Sequence, residues 1–154
     1  MFEKIKLIVS EIDGIITDGK IWYDELGNVP IKEYNLLDFE AINKLKEEFI
    51  FVFMSSNNEI NYNLMRRKNI PFYWAKDKKQ TLLKILERYG VTADEVLYIG
   101  CTYSDIPCMN YIPTSYCVHV SPQAVINLAK DALIDLSELY ELLKPEISRR
   151  KQCS

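Results

Sequence analysis

The sequence holds a single histidine, His119, and its four cysteines (Cys101, Cys108, Cys117 and Cys153) nowhere fall in a Cys-x-x-Cys spacing. A zinc site needs clustered thiolate and imidazole ligands, so the pattern argues against one. No apolar run reaches the ~18 residues that a bilayer-spanning helix requires, and the first residues lack the layout of a secretory signal. Positive charge is short as well: 19 Lys and Arg stand against 22 Asp and Glu, for a net charge of −3. A nucleic-acid surface needs a basic face. The basic clusters Arg66-Arg67-Lys68 and Arg149-Arg150-Lys151 read as solvated helix surface and tail. No repeat, low-complexity stretch or linker interrupts the chain. The expectation is one cytoplasmic, thiol-reduced globular domain over residues 1–154, with no nucleic-acid or membrane partner.

What is present is an alternation of apolar strands and amphipathic helices. Strands are predicted at Lys6–Ser10, Phe49–Ser55, Pro71–Trp74, Glu95–Ile99, Ser115–His119 and Ala132–Ile134. Helices fit Phe39–Glu48, Glu59–Lys68, Lys78–Tyr89, Asp105–Tyr111, Pro122–Ala129 and Ser137–Leu143. In Lys78–Tyr89, Leu82, Leu83, Ile85, Leu86 and Tyr89 recur at helical spacing, and Gly90 ends the run. This rhythm implies a three-layer α/β fold with a mainly parallel sheet covered on both faces. Residues 19–34 break it. Two short strand-like runs around Asp24-Glu-Leu-Gly-Asn28 predict a protruding β-hairpin.

Open α/β sheets bind ligands beyond the carboxyl ends of their strands. Glu11 and Asp13 follow the first predicted strand, and Ser55-Ser56-Asn57-Asn58 closes the second. Lys78 comes shortly after the third, and Gly100-Cys101-Thr102-Tyr103-Ser104-Asp105 follows the fourth. Carboxylates can attack phosphorus or hold a cation, while a hydroxyl and an ammonium can hold phosphate oxygens. The set suits phosphate chemistry. For Cys101 the alternatives are a thiolate role and an inert small residue, and the inert reading is preferred. His119, in an apolar strand, reads as structural.

At these residues the chain resembles the haloacid dehalogenase superfamily, and within it the capless phosphatases of 3-deoxy-D-manno-octulosonate 8-phosphate. It is also similar to the C-terminal domain of acylneuraminate cytidylyltransferases. The resemblance rests on Ile12-Asp-Gly-Ile-Ile-Thr-Asp-Gly-Lys-Ile21, the Tyr-Asp-Glu-Leu-Gly-Asn turn and Asn35-Leu-Leu-Asp38. Lys76-Asp-Lys78, Tyr98-Ile-Gly100 and Asp105-Ile-Pro-Cys-Met109 complete it. It implies a domain without a cap, a nucleophile at Glu11 and an acid–base at Asp13. Ser55 and Lys78 become phosphate-binding positions, and Glu11, Asp13, Cys101 and Asp105 a magnesium-site set. It also implies a homotetramer through residues 19–34.

The sequence departs from that pattern at the chemistry. Glu11 stands where the family has aspartate, and Cys101-Thr102 stands where it has Asp-Asp. A carboxylate displaced by one methylene is misplaced on a scale of ~1 Å, which can cost about 100-fold in rate. Thiol sulfur is a soft donor for magnesium. The expectation is therefore a catalytically degraded phosphatase-like protein with a structural, oligomerising or regulatory role in nonulosonate metabolism. The alternatives are an active magnesium-dependent phosphohydrolase of a sugar-acid phosphate, and a non-catalytic module that binds phosphate esters.

Overall fold

The computed structural model of the protein describes residues 1–56 and 59–154. Six strands form one parallel sheet: β1 (Leu7–Ser10), β2 (Ile50–Ser55), β3 (Phe72–Trp74), β4 (Val96–Ile99), β5 (Thr114–Val118) and β6 (Ala132–Leu133). Their spatial order is β3-β2-β1-β4-β5-β6. The helices are α1 (Leu36–Leu45), α2 (Glu59–Arg67), α3 (Lys78–Tyr89), α4 (Ile106–Met109), α5 (Gln123–Ile126) and α6 (Leu136–Cys153). The architecture is the expected α/β one.

Alternation along the central strands divides the core in two, since successive side chains leave a strand on opposite faces. Ile8, Phe51, Phe53, Leu97 and Ile99 pack on one side with Ile42 and Leu45 of α1, Met65 of α2 and Leu139 and Leu143 of α6. Leu7, Val9, Val52, Met54, Val96 and Tyr98 pack on the other with Leu82, Ile85 and Leu86 of α3, Cys108 and Met109 of α4 and Val125 of α5. Burial on both faces is why β1 and β4 read as continuous apolar runs.

Local chemistry sets the helix limits. Asn35 caps α1 by accepting from the Leu37 amide at 2.9 Å, so the helix starts before the expected Phe39. Asp77 caps α3 through the Gln80 amide at 3.0 Å, and Gly90 ends it at φ 63°. The expected helix at Asp105–Tyr111 is a tight turn, Tyr103–Asp105, leading into the shorter α4.

Two expectations need larger correction. The last helix does not stop at Leu143; it continues through Pro145 to Cys153. Proline removes one helix hydrogen bond, but Leu143 and Ile147 on either side of it are buried in the core. Glu146 then accepts from Arg149 Nη2 at 2.6 Å and Arg150 Nε at 2.7 Å. The predicted hairpin at 19–34 forms only as a turn. Asp24 donates its amide to the Asn28 carbonyl at 2.9 Å, and its Oδ1 accepts the amides of Leu26 and Asn28 at 2.9 and 2.8 Å. No strand is assigned to either flank. Pro30 lacks an amide donor, and an isolated two-stranded ribbon has too little to lean on. The segment is an extended strap.

Candidate functional site

β1 lies between β2 and β4, so the chain leaves it in one direction and later returns on its other side. That reversal opens a crevice at the carboxyl ends of β1 and β4. The Glu11 amide bonds the Ile99 carbonyl at 3.0 Å, which joins the loops after the two strands. Gly14 allows them to close together. Its φ is +90°, and a Cβ there would sit 2.3 Å from Cys101 Sγ.

Lys78 is the electrostatic centre of the crevice. Presented by the first residue of α3, its ammonium contacts Glu11 Oε2 and lies 2.7 Å from Asp105 Oδ1, and both its partners are buried. Burial pulls the Lys78 pKa down, but Glu11 and Asp105 push it up further, and the net direction is up. Burial pushes the Glu11 carboxyl up against the pull of Lys78. The two directions agree, because a single ammonium is shared by two buried carboxyls.

Asp105 is fully committed. Oδ1 accepts from Lys78 and from the Tyr98 hydroxyl, each at 2.7 Å. Oδ2 accepts the amides of Cys101 and Thr102 at 2.8 and 2.9 Å, fixing the loop after β4. The other Glu11 oxygen, Oε1, accepts the Ile12 amide at 2.8 Å.

Asp13 forms a second centre beside the first. Oδ1 accepts from Lys32 Nζ at 2.7 Å, and Oδ2 accepts from Asn61 Nδ2 at 3.1 Å and from Ser55 Oγ at 3.4 Å. Asn61 Oδ1 takes the Tyr34 hydroxyl at 2.8 Å and Lys32 Nζ at 3.3 Å. Glu11, Asp13, Ser55, Lys78, Cys101 and Asp105 therefore come together at one sheet edge, as the sequence led us to expect. Of the second-strand loop, Asn57 and Asn58 lie outside the described residues.

Sequence reasoning missed Lys32, Tyr34 and Asn61. Lys32 and Tyr34 stand in the strap, where ribbon patterning hides them. Asn61 carried a usable signal: it lies one helical turn before the buried Met65 and is itself 1% exposed.

The resemblance implies a magnesium set at Glu11, Asp13, Cys101 and Asp105, and in this structure each of the three carboxylates is met by other donors. Among the described residues, no three His, Cys, Asp or Glu side chains are placed to hold a metal ion. Asp105 spends both oxygens on Lys78, Tyr98 and loop amides. Burial pushes the Cys101 thiol pKa up, and its sulfur is a soft donor where magnesium favours hard oxygen. Lys78 puts an ammonium beside the one remaining deep carboxylate, Glu11. In this arrangement the carboxylate oxygens are turned to ammonium and amide donors.

A parallel sheet with acids, hydroxyl and lysine at its switch point is the scaffold of a haloacid dehalogenase-type phosphatase. No family model matches the sequence. Over 137 residues it is 30% identical to the 3-deoxy-D-manno-octulosonate 8-phosphate phosphatase KdsC of Haemophilus influenzae, covering 85% of this chain and 74% of that protein. The structure matches the cobalt-bound form of the deoxy-D-mannose-octulosonate 8-phosphate phosphatase from Haemophilus influenzae. The TM-score is 0.86 at 25% identity, covering 93% of this chain and 90% of that one. The chain belongs to this phosphatase family. It is also 24% identical over 135 residues to the N-acylneuraminate cytidylyltransferase of Oncorhynchus mykiss. That match takes in 83% of this chain but only 31% of the relative's length. Among the described residues no helix is long and apolar enough to cross a membrane.

Proposed function

We propose that this protein is a phosphomonoester hydrolase of the sugar-acid-phosphate type, with 3-deoxy-D-manno-octulosonate 8-phosphate as the model substrate. Its family membership supports this reading, and one observation carries it: Lys78 is held between Glu11 and Asp105 within the same crevice as Asp13 and Ser55. In the reaction, a Glu11 oxygen attacks phosphorus and the bond to the sugar oxygen breaks. Asp13 delivers a proton to that leaving oxygen. Water then attacks the phosphorus of the acyl phosphate, Asp13 takes its proton, and phosphate leaves as the Glu11 carboxylate is restored. Lys78 and the Ser55 hydroxyl hold phosphoryl oxygens. Lys78 supplies positive charge beside the transferring phosphoryl group.

A second reading has its own support in the buried Cys101 thiol, which stands where the family resemblance puts a metal-binding carboxylate. In that reading the protein binds the phosphate ester or supports an assembly without turning the ester over. Phosphate release from 3-deoxy-D-manno-octulosonate 8-phosphate, with and without magnesium, tests both. Turnover that is lost in Glu11→Gln upholds the hydrolase. Absence of release from a protein that still binds the ester favours the second reading.

A further inference from the structure

The strap at 19–34 has no ladder of its own, yet its far end is tied into the crevice. The Lys32 side chain is only 5% exposed, although it arises from a segment most of whose residues are exposed. Its ammonium sits 2.7 Å from Asp13 Oδ1 and 3.3 Å from Asn61 Oδ1. Two residues on, Tyr34 donates to the same Asn61 oxygen at 2.8 Å, while Asn61 Nδ2 donates to Asp13 Oδ2 at 3.1 Å. Strap, α2 and the loop after β1 thus meet through Asp13 and Asn61.

A lysine pays a large rotamer-entropy cost when it is buried, and a buried ammonium needs a charged partner to persist. Asp13 is that partner. We propose that Lys32 is a positioning residue: it latches the strap across the crevice through Asp13 and holds the Asp13 carboxylate in the orientation that faces Ser55. The inference rests on the hydrolase reading for the use made of Asp13, whereas the latch itself depends only on the ion pair.

Two measurements test it. Chymotrypsin cutting after Trp22, Tyr23 or Leu26 reports opening of the strap, because cleavage needs a locally released segment. Lys32→Met and Asp13→Asn should each raise the cleavage rate about tenfold, and the double variant should go no further, as expected for two residues acting as one contact. Lys32→Arg should stay within about threefold of the wild type, since it keeps the charge. Tyr34→Phe, which leaves both charges in place, should also raise cleavage and so guards against a Lys32→Met protein that fails to fold. Wild-type cleavage rates in Lys32→Met and Tyr34→Phe, or additive effects in the double variant, overturn the latch.

With p-nitrophenyl phosphate, Lys32→Met should lower kcat about tenfold and leave KM within about twofold, with Lys32→Arg recovering most of kcat. A rise in KM at constant kcat would show that Lys32 serves binding and overturn the positioning role. Cleavage is read without substrate, so the latch is decided even if the wild type releases no phosphate.

Discussion

Glu11 and Cys101, which stand where the family resemblance implies aspartate, shape the electrostatics of the crevice. Glu11 is long enough to meet the Lys78 ammonium while its second oxygen folds back on the Ile12 amide. Cys101 fills the space against Gly14 with a sulfur whose thiol pKa burial pushes up. Both Glu11 oxygens are met by donors, and Cys101 offers a cation sulfur rather than oxygen. Magnesium at millimolar levels should therefore shift the wild-type melting temperature by less than ~1 °C in a thermal-shift measurement, because an ion that does not bind contributes no linkage energy. Glu11→Asp with Cys101→Asp should produce a rise of several degrees, and either change alone should recover little, since the ligands act as a set. A wild-type rise of several degrees that Glu11→Gln abolishes would show that Glu11 ligates the ion. The positions of these residues were legible from sequence because strand ends converge in this topology. Their partners were not. That Asp105 would be spent on Tyr98, Lys78 and two loop amides depends on loop geometry that no spacing rule conveys.

Among the elements, α1 and α6 are joined by a buried acid. Asp38 accepts the Leu136 amide at 2.9 Å, capping the start of α6 from across the core face. Burial pushes its pKa up to about 6, partly opposed by that hydrogen bond. An unfolded aspartate titrates near ~3.9, so between about pH 4 and 6 the folded protein holds a proton that the unfolded chain releases. This group's contribution to stability therefore falls as pH rises through that window, by roughly 1–2 kcal/mol after allowance for solvent screening. Asp38→Asn keeps an acceptor for Leu136 and should flatten that part of the urea-denaturation pH profile. Equal slopes in the two proteins would refute the assignment.

The other end of α6 is fastened by Arg150. It donates to the carbonyls of Phe2 and Ile5 at 3.1 and 2.7 Å and lies 4.5 Å from the Phe49 ring centroid. Arg150→Ala should cost about 1–2 kcal/mol in denaturant unfolding, since part-buried carbonyls lose a charged donor; a loss under ~0.5 kcal/mol would mean that water replaces it. This clamp explains why sequence reasoning ended the helix too early. Pro145 is a strong local stop signal, and the contacts that override it come from residues about 100 to 148 positions away. The strands were legible because both of their faces are buried, which imprints continuous apolar runs. Ribbon patterning in 19–34 misled for the converse reason, as alternation there has no core behind it.

At the scale of the whole molecule, the strap exposes large apolar side chains that a lone chain has little reason to keep. Trp22, Tyr23, Leu26 and Ile31 are 65%, 65%, 86% and 63% exposed, all within the strap. Large exposed apolar side chains gathered in one segment suit a contact site, and aromatic side chains are the usual anchors of such contacts. Because Lys32 and Tyr34 tie the strap down at its C-terminal end, the apolar residues before them are presented from a fixed base, which lowers the entropy lost on association. The expected state is a homo-oligomer assembled through residues 19–34, with a tetramer the form that the family resemblance implies. Four chains of 18.0 kDa give 4 × 18.0 = 72 kDa, the mass expected from light scattering at micromolar concentration. Trp22→Ser with Ile31→Ser should lower that mass while leaving the far-UV circular dichroism of the folded chain unchanged, because neither side chain enters the two packed faces of the sheet. Lys32→Met should weaken association as well, since releasing the latch restores freedom to the strap. A wild-type mass of one chain at these concentrations would remove the assembly proposal, and an unchanged mass in the double variant would move the contact away from the strap.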